Sequence, residues 1–135
     1  MNTPKSGINE AVVGIGSNIR PRRHFRRVRR LIKKNFHVAA ESRPIKTKPV
    51  GFEDQPDFLN GAVRIRTEWD RDALIRWMKQ TEHKLGRVRT ENPFGPRTMD
   101  LDLLVWNGMV MDRDVFDREF LYVLVKNVWP NLPEK

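Results

Sequence analysis

A chain of 135 residues with 39% hydrophobic content fits one domain around one core, and no stretch approaches the roughly 20 apolar residues of a membrane-spanning helix. With no cysteine there is neither a disulfide nor thiolate chemistry, which is compatible with the cytoplasmic location expected here. A formal charge of +9 and a pI near 10.5 favour polyanionic partners, whether nucleic acid, anionic lipid or phosphorylated small molecules, without choosing among them.

Residues 1–9 are polar, and the first apolar run, 11–15, ends in Gly14-Ile15-Gly16-Ser17-Asn18, which predicts a strand entering a glycine turn. Pro21 suits the first turn of a helix in which Phe25, Val28, Leu31 and Ile32 recur at helical spacing to about Asn35. Its other faces carry Arg22, Arg23, Arg26, Arg27, Arg29, Arg30, Lys33 and Lys34. A nucleic-acid surface is one reading of that face, and a merely solvated one takes precedence. An apolar stretch at 38–40 precedes a loop to about Asp57 punctuated by Pro44, Pro49, Gly51 and Pro56. So long a connection is usually functional or disordered, and Phe52 and Phe58 at or beside it argue against disorder.

Residues 58–66 alternate as a strand does, with Leu59, Val63 and Ile65 on one side and Phe58, Asn60, Ala62 and Arg64 on the other. Asp70 can cap a helix whose core stripe is Leu74, Trp77 or Met78, Thr81 and Leu85, with Gly86 in place to end it. A loop broken by Pro93, Gly95 and Pro96 carries Arg87, Arg89 and Arg97 and leads into an apolar run, 99–106, that contains Asp100 and Asp102. On a strand these two carboxylates share a face, where they repel unless a cation or a proton lies between them. Hard carboxylate oxygens suit Mg²⁺ and guanidinium groups suit phosphate oxygens, so the stretch reads as a nucleotide phosphate site.

Strand, helix, strand, loop, strand, helix, strand predicts an α+β fold, a ferredoxin-like βαββαβ sandwich whose antiparallel sheet has two main helices on one face. Leu101, Leu103 and Val105 should face those helices. Asp100 and Asp102 should then lie on the open side with Phe58 and Asn60. Downstream, Asn107-Gly108 reads as a turn, 120–125 as a further apolar run, and the segment from Trp129 as a Pro-containing tail. His24, His37 and His83 share no spacing that suggests a metal site, and all three read as surface residues.

Four segments in this order resemble the 6-hydroxymethyl-7,8-dihydropterin pyrophosphokinases, a family of folate-pathway enzymes. They are Gly14-Ile15-Gly16-Ser17-Asn18, then Thr47-Lys48-Pro49-Val50-Gly51, then Asp54-Gln55-Pro56-Asp57-Phe58-Leu59-Asn60, and finally Gly86-Arg87-Val88-Arg89 with Gly95-Pro96-Arg97-Thr98-Met99-Asp100-Leu101-Asp102. The resemblance covers a core of about 10–106 within one domain, 1–135, and leaves 107–135 as a C-terminal extension.

The resemblance implies transfer of a diphosphoryl unit from ATP, a co-substrate, to a reduced pterin with release of AMP. It also implies two Mg²⁺ ions held by Asp100 and Asp102, and catalytic roles for Arg87 and Arg97 beside those two. Glu82, Arg89, Phe94, Arg97, Leu103 and Arg118 would bind ATP, while Thr47, Val50, Phe58, Asn60 and Phe120 would bind the pterin. Phe58 and Phe94 stand where the family commonly has tyrosine and tryptophan. Lys48 and Pro93 stand where it often has proline and a basic residue. The connection from Trp106 to Arg118 is short, and the family's Pro-His pair has no counterpart in it. A monomer is expected, and neither a membrane nor a nucleic acid is an expected partner. In particular, the aromatic strand motif of RNA-recognition domains is absent.

Overall fold

The computed structural model describes residues 7–49, 51, 54–86 and 99–134. Its elements run β1 (Asn9–Ser17), α1 (Pro21–Asn35), β2 (His37–Glu41), β3 (Ile45–Thr47), β4 (Phe58–Thr67), α2 (Arg71–Lys84), β5 (Asp100–Trp106), β6 (Met109–Val110), α3 (Asp114–Asp117) and α4 (Glu119–Val128). The strands form one antiparallel sheet in the order β2-β4-β1-β5-β6, with β3 also paired to β4. The order β2-β4-β1-β5, with one helix after β1 and another after β4, is the expected βαββαβ arrangement.

One face of the sheet packs on α1 and α2. Alternation presents Ala11, Val13 and Ile15 of β1, Val63 and Ile65 of β4 and Leu101 of β5 to Phe25, Val28 and Ile32 of α1 and Leu74, Met78 and Leu85 of α2. Asp70 accepts a hydrogen bond from the Ala73 N–H at 2.8 Å and so starts α2. Gly86, at φ 89°, follows its end.

Four features depart from the sequence reading. Val12 pairs with Val105 and Val13 with Leu103, so Leu104 is an extra residue, a β-bulge. The bulge reverses the alternation. Leu104 and Val105 both join the core on the second face, whereas Leu103 and Trp106 stay on the helix side, and Val105 therefore does not face α1 and α2. Gly14 makes room for this. A Cβ there would lie 2.9 Å from Leu104 Cδ1.

The second difference is β3, a three-residue strand inside the expected loop. The third is α4, whose Leu124, Val125 and Val128 bury Val12, Ala62, Leu104 and Val105 on the face expected to be open. The open surface is thus confined to the end of the sheet nearest Gly16, Asn60 and Asp100. The fourth is His24, which is buried rather than on the surface. Its Nδ1 is 2.6 Å from the Ile19 carbonyl oxygen and 3.1 Å from that of Arg20. Since a carbonyl oxygen only accepts, Nδ1–H is the donor, and it ties the start of α1 to the preceding turn. Among the described residues, no helix is long and apolar enough to cross a membrane.

Candidate active site

Asn60, Gly16 and Asp100 form one row across β4, β1 and β5. At a strand spacing of about 4.8 Å, the outer two backbones stand roughly 10 Å apart with a bare glycine between them. A Cβ on Gly16 would lie 3.1 Å from Asn60 Oδ1 and 3.8 Å from Asp100 Cβ. Glycine therefore keeps a slot open, and the Asn60 carbonyl oxygen faces into it. The amide is held in that orientation because its Nδ2 donates to Thr47 Oγ1 at 2.6 Å. The short strand β3 supplies this contact, since it sets Thr47 opposite Phe58 and Ile45 opposite Asn60.

Asp102 lies one pleat further along β5, beside Gly14 and on the same face as Asp100. Residues two apart on a strand are separated by roughly 6.5 Å, close enough for two carboxylates to share cations. Asp100 is half-buried and Asp102 exposed.

Beyond Trp106 the chain reverses at Asn107 and Gly108, whose φ values of 47° and 79° suit a tight hairpin turn. It pairs briefly as β6 and then folds back over the acidic end of the sheet. Asp112 accepts a hydrogen bond from the Asp114 N–H at 2.9 Å, and Arg118 donates its N–H to the Asp114 carbonyl at 2.9 Å. The Arg118 Nε lies 3.5 Å from Asp114 Oδ2. This arrangement brings the first turn of α4 to the slot.

The result is a cleft of about 270 Å³ with Gly16, Asn60, Asp100 and Asp102 at its base. Thr47, Lys48 and Phe58 line one side, and Asp112, Asp114, Arg118, Phe120 and Leu121 the other. Seven residues singled out in the sequence thus converge: Thr47, Phe58, Asn60, Asp100, Asp102, Arg118 and Phe120. Phe58 is buried and Phe120 half-buried, as befits walls for a flat, partly apolar ligand. Among the described residues, those lining the cleft include four carboxylates, one lysine and one arginine.

Glu82 and Leu103 do not line it. Leu103 packs into the core on the helix side, and Glu82, 8% exposed on α2, accepts the Leu101 N–H at 2.7 Å. That bond fastens the acidic strand from behind. Val50, Arg87, Arg89, Phe94 and Arg97 lie outside the described residues.

Gly16, Lys48, Asp112, Asp114 and Leu121 line the cleft without having been singled out as site residues. For Gly16 the signal was present, since alternation from Val12 places 12, 14 and 16 on one face. Asp112 and Asp114 had none, because their place depends on the bulge, the turn and the return of the chain.

A family model described as 7,8-dihydro-6-hydroxymethylpterin-pyrophosphokinase (HPPK) matches residues 12–130. The chain belongs to the HPPK family. The match runs from β1 past the end of α4, so the elements that bring Arg118 and Phe120 to the cleft lie inside it. This HPPK chain is similar to the 2-amino-4-hydroxy-6-hydroxymethyldihydropteridine pyrophosphokinase of Bacillus subtilis (strain 168), with 41% identity over 102 residues, 73% of this chain and 60% of that one. The Haemophilus influenzae protein of the same name is 34% identical over 97 residues, 66% of this chain and 60% of its own. The folate synthesis bifunctional protein of Arabidopsis thaliana is 32% identical over 117 residues, 84% of this chain and 24% of its own. The chain therefore spans about 60% of the bacterial relatives and a quarter of the plant one.

Proposed function

We propose that this HPPK chain, acting as a monomer, transfers the β,γ-diphosphoryl unit of ATP to the hydroxymethyl group of 6-hydroxymethyl-7,8-dihydropterin and releases AMP. The observation that carries the reading is the cleft itself, in which Asp100 stands across Gly16 from a pre-oriented Asn60, Asp102 lies one pleat further along, and Phe58 and Phe120 are among the lining residues. The pterin ring stacks between the two phenylalanines. Asn60 Oδ1 accepts from the amino edge of the ring, and backbone groups at Thr47 and Val50 complete that edge. The substrate hydroxymethyl group then points along the row towards Asp100.

The acceptor oxygen forms a bond to the β-phosphorus as the bond from that phosphorus to the α,β-bridging oxygen breaks. The hydroxyl proton is released to solvent, and AMP leaves with the bridging oxygen. A pair of same-face carboxylates fits Mg²⁺, which takes one or two carboxylates and fills its other positions with water and phosphate oxygens. Asp100 and Asp102 would hold two such ions, which when bound neutralise phosphate charge and align the displacement.

Arg118, Arg89, Arg97, Phe94 and Glu82 belong to the nucleotide side of this reading, and Leu103 contributes to it as core packing under the acidic strand. Glu82 acts there by securing the strand that carries the two acids. Arg87 and Arg97, which lie outside the described residues, are the catalytic arginines of this reading. The test is to incubate the purified protein with ATP, Mg²⁺ and a set of reduced pterins. Stoichiometric AMP with the hydroxymethyl compound is expected, and AMP no higher than in a pterin-free control would refute the reading.

One observation favours a second reading, a relative that binds both ligands without transfer. Between Trp106 and Arg118 the chain has only β6 and the single turn of α3, and it carries no Pro-His pair there. Tight pterin and nucleotide binding without AMP release would support that alternative.

A further inference from the structure

Eight of the 26 lysines and arginines of the chain lie on α1. In α1 the stripe Phe25, Val28 and Ile32 is 3%, 0% and 2% exposed in the core, whereas Arg22, Arg23, Arg26, Arg27, Arg30, Lys33 and Lys34 are exposed and Arg29 is half-buried at the edge. At 100° per residue, the sequence from Arg29 round to Arg27 fills an unbroken arc of roughly 160°. No Asp or Glu occurs in the helix. Glu41, at the rim on β2, lies 3.9 Å from Arg29 and 3.7 Å from Lys33. Among the described residues, no carboxylate pairs with Arg22, Arg23, Arg26, Arg27, Arg30 or Lys34. Like charges at i,i+4 spacing destabilise an isolated helix, so the sequence maintains this face at a cost in stability. α1 packs on the face of the sheet opposite the one that carries Asn60, Asp100 and Asp102, so the described cleft residues do not adjoin its outward side.

We propose that this face of α1 docks on the sugar-phosphate backbone of duplex nucleic acid, without reading sequence. Five of the six unpaired cations are arginines, whose planar guanidinium groups match phosphate oxygens in pairs. Arg22, Arg26 and Arg30 form a row rising about 6 Å per step, so the row spans roughly 12 Å, over which one strand of a duplex presents about four phosphates. An anionic membrane is the poorer match. A helix that lies in a bilayer interface needs a free apolar face to insert, and here that face is the protein core. No aromatic side chain lies among the outward arginines to stack on or read a base, so the contact is with backbone alone. The sheet surface used by RNA-recognition domains is not involved.

The test is fluorescence anisotropy with a labelled random-sequence duplex, in one RNA arm and one DNA arm, over about 50 to 200 mM salt. Saturable binding to either duplex is expected, with log K falling against log salt at a slope of about −4, as for four to five neutralised phosphates. The triple variant Arg22→Glu, Arg26→Glu, Arg30→Glu should lose at least about tenfold in affinity and flatten the slope, while the three Arg→Lys changes should retain most binding. AMP release should be unchanged in both. Circular dichroism melts verify folding, and Arg→Gln at the same positions replaces the glutamates if that variant does not melt as the native protein does. Absence of saturable binding at the lowest salt, equal affinity in wild type and the charge-removal variant, or capture by phosphatidylserine vesicles but not by duplex would each overturn the proposal.

Discussion

Glu82→Ala removes the acceptor for a backbone donor on the strand that carries both site carboxylates. Beyond β5, β6 pairs only with Val105 and Trp106, so at Leu101 the outer edge has no strand partner among the described residues and the Glu82 carboxylate takes its place at 2.7 Å. A hydrogen bond to a charged acceptor contributes about 1.5–3 kcal/mol, and truncation also leaves a buried N–H and a void. We therefore expect Glu82→Ala to cost about 2–4 kcal/mol. An unfolding entropy near 2.1 cal/mol/K per residue over this chain makes that a fall of roughly 7–14 °C in Tm. Glu82→Gln keeps an acceptor oxygen and should cost about 1 kcal/mol, or roughly 3–4 °C. Differential scanning calorimetry at one pH measures both. An alanine variant melting within about 2 °C of wild type, or a glutamine variant melting as low as the alanine one, would refute the argument. A contact between Glu82 and nucleotide would show separately, as a raised KM for ATP in the glutamine variant with little change in its melt.

If the proposed phosphoryl transfer runs at these acids, Asp100→Asn and Asp102→Asn should each lower kcat by at least about a hundredfold through lost charge stabilisation. Asparagine keeps the size and shape of each acid, so both variants should keep the native circular dichroism spectrum; loss of that spectrum in step with the loss of rate would instead make the acids structural. Gly14→Ala should destabilise by about 1–2 kcal/mol through Leu104, and adding Leu104→Val should recover part of it. Additive melts in that double-mutant cycle would contradict the close contact. Asn60→Ala and Thr47→Val should raise KM for the pterin while leaving KM for ATP unchanged, and equal effects on both substrates would place Asn60 elsewhere.

The β1, α1, β4, α2 and β5 elements were legible because each is long enough for its period to show, and Asp70, Gly86, Pro21 and Asn107-Gly108 marked their limits. The same alternation put Phe58, Asn60, Asp100 and Asp102 on one face. It failed at Leu104, since a bulge depends on pairing with Val12 and Val13 and leaves no local mark. Three residues are too few to reveal β3, although it supplies the Thr47 partner of Asn60. The helix α4 was only an apolar run because its spacing acquires meaning from the sheet face it covers. His24 was misplaced for a related reason. A histidine within a run of arginines gives no sign that its ring turns inward to a backbone carbonyl. Arg118 and Phe120 were reached through resemblance rather than through pattern, and the geometry of the return from Trp106 brings them to the cleft.

The most direct test of the account is to follow ATP labelled at its β-phosphorus through one turnover with 6-hydroxymethyl-7,8-dihydropterin. The account predicts that the label leaves the nucleotide and appears in a pterin carrying two phosphoryl groups, in equal amount to AMP. Label retained in ADP, or no labelled pterin at all, would contradict diphosphoryl transfer at the Asp100–Asp102 site.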